Sequence, residues 1–379
     1  MHRGFNLFSE GGYLRDFRDA RFNQDSSCLA VTCSYGFRVY NCNPFSLATE
    51  RDLTGYGYGS VGLVEMLYRC NIVAIVVEDL PDISPGDSLN ADTSPCFGRN
   101  RLILWDDKSG SEVARLGFES RIINVKLLRH LLVIVLKDKV HIYQVNTLRL
   151  LDTFSTFSNA KGICSVSGND TLSVIAFPGI LPGSVVVRVY NLDLISDTMV
   201  SEDSVFIRAH KSEITTVGLS SDGLLLVTSS TGGRLIRLWS SFSGMKLQEF
   251  RKAGGGGILR ICHLSPDCRF LCTISITNVV SVYHIKLREN GKRFCVDCFG
   301  ANGADTDKSS SGCLPYIFFR RTRHYLEAPT AYTRFRSSVS VVTSTFLPNT
   351  NNLLLVLANG RVHRLSVSGY FKFLANHCL

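Results

Sequence analysis

Residues 209–239 read AHKSEITTVGLSSDGLLLVTSSTGGRLIRLW, and residues 258–283 read ILRICHLSPDCRFLCTISITNVVSVY. The two stretches are copies of one unit. Each has an apolar residue three before an Asp (Leu219 before Asp222, Leu264 before Asp267), a Leu four after it (Leu226, Leu271) and a strand ending on an aromatic ring (Trp239, Tyr283). In the first copy Leu235, Arg237 and Trp239 alternate with Ile236 and Leu238, the period-two pattern of a strand. Ser221-Asp222-Gly223 supplies the tight turn that precedes it. Between the copies stands the basic pair Arg251-Lys252.

Outward from this pair the unit recurs along the chain. Phe22-Asn23-Gln24-Asp25, Leu29 and the strand GFRVY at 36–40 keep the same spacing. A second copy, 61–77, is split from its RLILWD strand at 101–106 by a polar, Pro-rich insert at 78–100. A compact copy occupies 122–143, and another runs over 162–177 and resumes at 185–190. The last, 339–365, keeps Phe346, Asn349 in place of Asp, Leu353 and GRVHRL at 360–365. Short-stranded units repeated at roughly 40–50 residues predict a propeller, because each sheet then covers its neighbours' faces and the ring has no long open edge. The expected fold is all-β, a seven-bladed β-propeller of the WD40 kind, as one domain over 1–379. A sandwich or a two-domain β protein is the alternative, and neither accounts for copies that continue to the C-terminus. The segment around Phe5 to Phe8 is a candidate to close the ring against the last blade. Helix signals are nearly absent.

Composition narrows the function classes. The chain has 379 residues, 45% of them hydrophobic, enough for a large core. Its 41 Lys and Arg against 32 Asp and Glu suit an anionic partner, although a basic surface without function has the same balance. The 13 cysteines follow no framework spacing, and Cys28, Cys33, Cys262 and Cys272 fall inside apolar strands, which suits a reducing compartment. No apolar run approaches the roughly 18 residues of a spanning helix, and no secretory start follows Met1. His2 excludes N-myristoylation. A cytoplasmic protein that reaches membranes only peripherally is expected.

The run 209–283, together with RFNQD at 21–25, GFRVY at 36–40, VEMLYRCN at 64–71, ILWDD at 103–107 and AFPG at 176–179, resembles the PROPPIN family, the WIPI-type WD-repeat proteins of autophagy. The resemblance implies a propeller that binds phosphatidylinositol 3-phosphate and phosphatidylinositol 3,5-bisphosphate through a Phe/Leu-Arg-Arg-Gly motif between blades five and six. Here the motif stands as Phe250-Arg251-Lys252-Ala253, with two of four positions changed. Adjacent residues of an extended segment point in opposite directions, so Arg251 and Lys252 would serve two pockets. Arg251 keeps the planar fork that grips phosphate bidentately, whereas Lys252 offers a point charge. Carried over residue by residue, the first pocket comprises His210, Ser229, Ser230, Arg237 and Arg251, with Arg234 in the place of a family Thr. The second retains Ser275 beside Lys252, but Val279 replaces Thr and Ser281 replaces His, so it is expected to be weak or lost.

The resemblance also implies a long membrane-dipping loop in blade six, here at about 286–331. It carries LPYIFFRRTR at 314–323. Phe318, Phe319, Arg320 and Arg321 are the candidate interfacial residues, since buried rings and nearby cations both favour an anionic membrane surface. The alternative is that these rings are core, because LPYIF is similar to the stretch leading into the family's returning strand. Asn23 and Asp25 resemble a segment that recruits an autophagy lipid-transfer protein, or they only cap the repeat. Cys295 and Cys298 lack a second pair for zinc, and no nucleophile or nucleotide motif appears. The expectation is a monomeric, non-enzymatic phosphoinositide effector without metal or cofactor, on preautophagosomal, endosomal or vacuolar/lysosomal membranes. A protein scaffold that has lost lipid binding is the rival. Nucleic-acid binding is not expected.

Overall fold

The structure, a computed structural model, describes residues 17–58, 60–78, 100–168, 172–193, 198–201, 204–232, 234–251, 257–289, 292–294, 331–350, 352–368 and 370–379. Seven antiparallel sheets of four or five strands follow one another along the chain, at 19–52, 60–117, 124–155, 165–208, 214–251, 259–336 and 341–378, and a two-stranded hairpin, Leu287–Glu289 with Lys292–Phe294, follows the third strand of the sixth. The seven sheets are blades 1 to 7 of a β-propeller. Six have four strands in meander order. Blade 4 shares its outer position between Thr198–Ser201 and Val205–Arg208, both paired with Ser184–Asp193. One 3-10 turn, Thr54–Tyr56, is the sole helical element among the described residues.

The core lies between the blades. A second strand such as Cys28–Cys33, Leu131–Val135 or Phe270–Ser275 is buried at every position because both of its faces meet a neighbouring sheet. Outer strands such as Ser111–Gly117 alternate exposed and half-buried residues, one face being solvated. Each of seven hydrophobic clusters draws on two adjacent blades. The one that joins Leu29 and Val31 of blade 1 to Leu354 and Val356 of blade 7 closes the ring. Ser26 Oγ and Thr345 Oγ1, 2.6 Å apart, bridge the same seam. Blade 7 takes its outer strand, Tyr370–Cys378, from the end of the chain. Phe5 to Phe8 and the core of the blade 2 insert, 79–99, lie outside the described residues.

Inner strands carry polar side chains into the middle of the ring. Glu65 of blade 2, almost fully buried, accepts from Lys126 Nζ of blade 3 at 3.1 Å and from Arg21 Nη1 of blade 1 at 3.3 Å. Arg21 also donates to Asn124 Oδ1 at 2.6 Å. Gln24 ties the same three blades, donating to Met66 O and Leu127 O, both at 2.6 Å, and accepting from Tyr68 N.

Candidate functional site at the rim of blades 4 to 6

Strand register decides which predicted residues meet. In blade 5 Ile214 lies opposite Ser230, Ser229 opposite Ile236, and Leu235 opposite Arg251. The start of the inner strand, the turn between second and third strands, and the end of the outer strand therefore share one end of the blade. Side-chain alternation then sorts the faces. Ile236, Leu238 and Phe250 pack towards blade 6, while Leu226 and Trp239 pack towards blade 4. Thr228, Ser230, Arg237, Glu249 and Arg251 fall on the blade 4 side by the same alternation. Ser229 falls on the opposite face, where its Oγ lies 2.8 Å from Thr215 Oγ1 and 3.0 Å from Thr216 Oγ1. Of the blade 5 residues expected in the first pocket, Ser230, Arg237 and Arg251 thus face the crevice between blades 4 and 5, and Ser229 stands on the other face of the sheet.

His210 enters this crevice from the blade 4 side, its backbone N donating to Gly183 O at 2.9 Å. Gly183 has φ of 75°, and a Cβ there would lie 2.1 Å from His210 O, so only glycine lets the two segments approach. His210 Nε2 is 2.8 Å from Thr228 Oγ1, which also accepts from Trp239 Nε1 at 2.9 Å. Burial, with Arg237 alongside, pulls the His210 pKa down to about 4. At neutral pH the ring therefore offers hydrogen bonds and no charge. Arg237 is already engaged: Nε donates to Glu249 Oε1 at 2.9 Å and Nη1 donates to Ala209 O. Lys246 Nζ adds a second contact to Glu249 at 2.8 Å. Arg234 and Arg251 are exposed and have no ion-pair partner among the described residues. Both stand at this end of blade 5. Lys252 lies outside the described residues.

Blade 6 repeats this arrangement one step around the ring. Leu259 lies opposite Ser275, and Val279 opposite Arg336. Leu271 and Tyr283 pack towards blade 5 and Phe335 packs towards blade 7. Ser275, Val279, Ser281, Arg334 and Arg336 consequently face the crevice between blades 5 and 6. Ser275 Oγ is 2.8 Å from Thr277 Oγ1 and accepts from Val279 N at 3.1 Å. Ser281 lies opposite Arg334 in register. Sequence reasoning missed both arginines, which follow the long connection from His284 to Thr333. Their signal was available, since Phe335-Arg336 ends the outer strand of blade 6 as Phe250-Arg251 ends that of blade 5.

The other candidates scatter. Asn23 is buried and spends its amide internally, donating to Ser27 Oγ and Tyr68 O, both at 3.1 Å, and accepting from Cys28 N at 2.9 Å. Asp25 is exposed and holds the turn through Ser27 N at 2.9 Å. Phe318, Phe319, Arg320 and Arg321, and the thiols of Cys295 and Cys298, lie outside the described residues. Desolvation pushes the thiols of Cys42, Cys164 and Cys268 up to about 12, which keeps them protonated at neutral pH. Among the described residues no cluster of three or more His, Cys, Asp or Glu is placed to hold a metal. Within the same residues, no helix is long and apolar enough to cross a membrane.

Fold and rim together define a seven-bladed β-propeller with two adjacent crevices lined by hydroxyls and arginines at one end of blades 4 to 6. The chain belongs to the PROPPIN family, whose family model it matches over residues 19–295. It is 32% identical over 264 residues to the Autophagy-related protein 18 of Dictyostelium discoideum, a match covering 70% of this chain and 64% of that protein. Among solved structures, Kluyveromyces lactis Hsv2 with complete loop 6CD shares the fold at a TM-score of 0.69 and 18% identity, over 96% of this chain and 98% of that one. A complex of KlAtg21 with the coiled-coil of AgAtg16 shares it at 0.64 and 18% identity, over 96% and 99% of the two chains.

Proposed function

We propose that the protein is a phosphoinositide effector, reading phosphatidylinositol 3-phosphate, phosphatidylinositol 3,5-bisphosphate or both on autophagic or endosomal membranes and bringing protein partners there. The observation that carries this reading is the repeated strand end, Phe250-Arg251 and Phe335-Arg336, each with a serine (Ser230, Ser275) at the same end of its crevice. An inositol head group needs phosphate-binding forks beside neutral hydrogen-bonding groups for its hydroxyls. Arg251 supplies the fork of the first crevice, and Ser230 and uncharged His210 the neutral groups. Arg336 supplies the fork of the second, which offsets the change of Thr and His to Val279 and Ser281. KlAtg21, captured with a coiled coil, supports protein recruitment by this fold. A lipid-transfer protein of autophagy is a further candidate partner. For its recruitment the exposed Asp25 is better placed than the internally committed Asn23.

A scaffold without lipid binding is favoured by one observation, the neutralisation of Arg237 by Glu249. Calorimetry with soluble inositol 1,3-bisphosphate separates the two readings: an effector binds it, a scaffold does not. Arg336→Ala is expected to reduce the stoichiometry from two head groups towards one, with a smaller effect from Lys252→Ala. Two undisturbed sites in Arg336→Ala would remove Arg336 from the second crevice.

A further inference from the structure

The turns between second and third strands in blades 4, 5 and 6 share the crevice end of the ring, and the outer two carry exposed apolar tips. In blade 4, Ile180 and Leu181 are 66% and 53% exposed, and in blade 6 Ile276 is 55% exposed. The blade 5 turn between them carries Arg234. Exposed Arg208, Lys211 and Arg251 end the neighbouring segments, and Glu213 is the sole acid among the described residues of these connections.

The blade 4 tip is rigidly built. Leu181-Pro182-Gly183-Ser184 has proline at the second position, a glycine of φ 75° at the third, and Ser184 N donating to Leu181 O at 3.0 Å, the signature of a type II turn. Ser184 Oγ donates to the same carbonyl at 2.6 Å. Gly183 O in turn holds His210 N, so the tip is fixed relative to the first crevice. Ile276 is held in the same way, its N donating to Ile258 O at 2.9 Å.

Resting on the lipid-binding reading above, we infer that Ile180, Leu181 and Ile276 are wedges that enter the acyl boundary of an anionic bilayer on either side of the head-group crevices. The occupant is a lipid surface because the apolar tips are ringed by cations and continue a site suited to lipid head groups, the combination that interfacial anchoring requires. Phe318 and Phe319 belong to a different segment of the chain, the connection that follows His284, whereas Ile276 precedes Val279 at the other end of that strand. The two candidate contacts are therefore separable by mutation.

Ile180→Ser with Leu181→Ser is expected to lower partition onto vesicles of phosphatidylcholine, phosphatidylserine and phosphatidylinositol 3-phosphate by about tenfold or more. Calorimetric binding of inositol 1,3-bisphosphate and the melting temperature should not change. Leu150→Ser, on the outer strand of blade 3, is the control and should partition as the native chain does. In a second variant, Leu181→Trp, emission should shift to the blue on vesicle addition beyond the shift of the native protein. Unchanged partition of the double variant, or no added shift from Leu181→Trp, overturns the wedge and leaves the head-group reading standing. A native protein that binds neither soluble head group nor vesicles overturns both.

Discussion

Replacing Glu65 with alanine is expected to destabilise the propeller by up to about 3–5 kcal/mol, because it takes the carboxylate from Lys126 and leaves Arg21 with Asp19 as its remaining ion-pair partner among the described residues. Glu65 is the shared partner of Lys126 and Arg21. Burial opposes the charge of Arg21, but Asp19 and Glu65 together more than offset it, so its pKa lies above the ordinary value. For a chain of 379 residues, with about 2.1 cal/mol/K of unfolding entropy per residue, such a loss lowers Tm by about 4–6 °C. Glu65→Met with Lys126→Met should recover part of it, since Arg21 then keeps Asp19 and neither charge is left unpaired. A Glu65→Ala protein melting with the native one would show that water already screens the network.

Acid should weaken the fold before it titrates the ordinary carboxylates. His263 of blade 6 is half-buried with Nε2 2.8 Å from Ser344 Oγ of blade 7, and desolvation pulls its pKa down to about 4. His210 falls to about 4 for the causes given above. Both values lie below that of an unfolded histidine, about 6.5, so between the two the unfolded chain binds more protons and stability rises with pH. The contribution is fully present above about pH 6.5 and is lost as pH falls towards 4. Each ring accounts for up to about 3 kcal/mol, at 1.36 kcal/mol per pH unit. Urea midpoints from pH 7 to 4.5 should fall steeply, and His263→Gln should flatten that slope. A flat native profile over this window would contradict the neutral assignment of both rings.

The repeat was legible because second strands are rich in buried apolar residues and the Asp turn recurs at Asp222 and Asp267. Outer strands were not. In the last outer strand Lys372, Phe373 and Leu374 are exposed in a row and no position from Phe371 to Cys378 is fully buried, so its periodicity is faint against a polar loop. Arg336 escaped for a related reason: its strand follows a connection long enough to break the spacing that revealed its counterpart Arg251. Glu65 was hidden differently, as one acid in an apolar strand whose partners are 44 and 61 residues away in the chain. The family resemblance marked Arg237 as a ligand, yet only the folded register shows Glu249 beside it. Ser229 and Ser230 look equivalent in sequence, and alternation across the sheet puts them on opposite faces.

Head-group calorimetry on Arg251→Ala tests the account most directly. Arg251 is the uncommitted fork of the first crevice, and removing a charge-assisted bidentate contact costs about 2–3 kcal/mol, or roughly 30- to 150-fold in affinity. The native protein should bind inositol 1,3-bisphosphate, and Arg251→Ala should lose that affinity at the first site while melting at the native temperature. Native binding that is unaltered in Arg251→Ala would contradict the assignment of the crevice between blades 4 and 5.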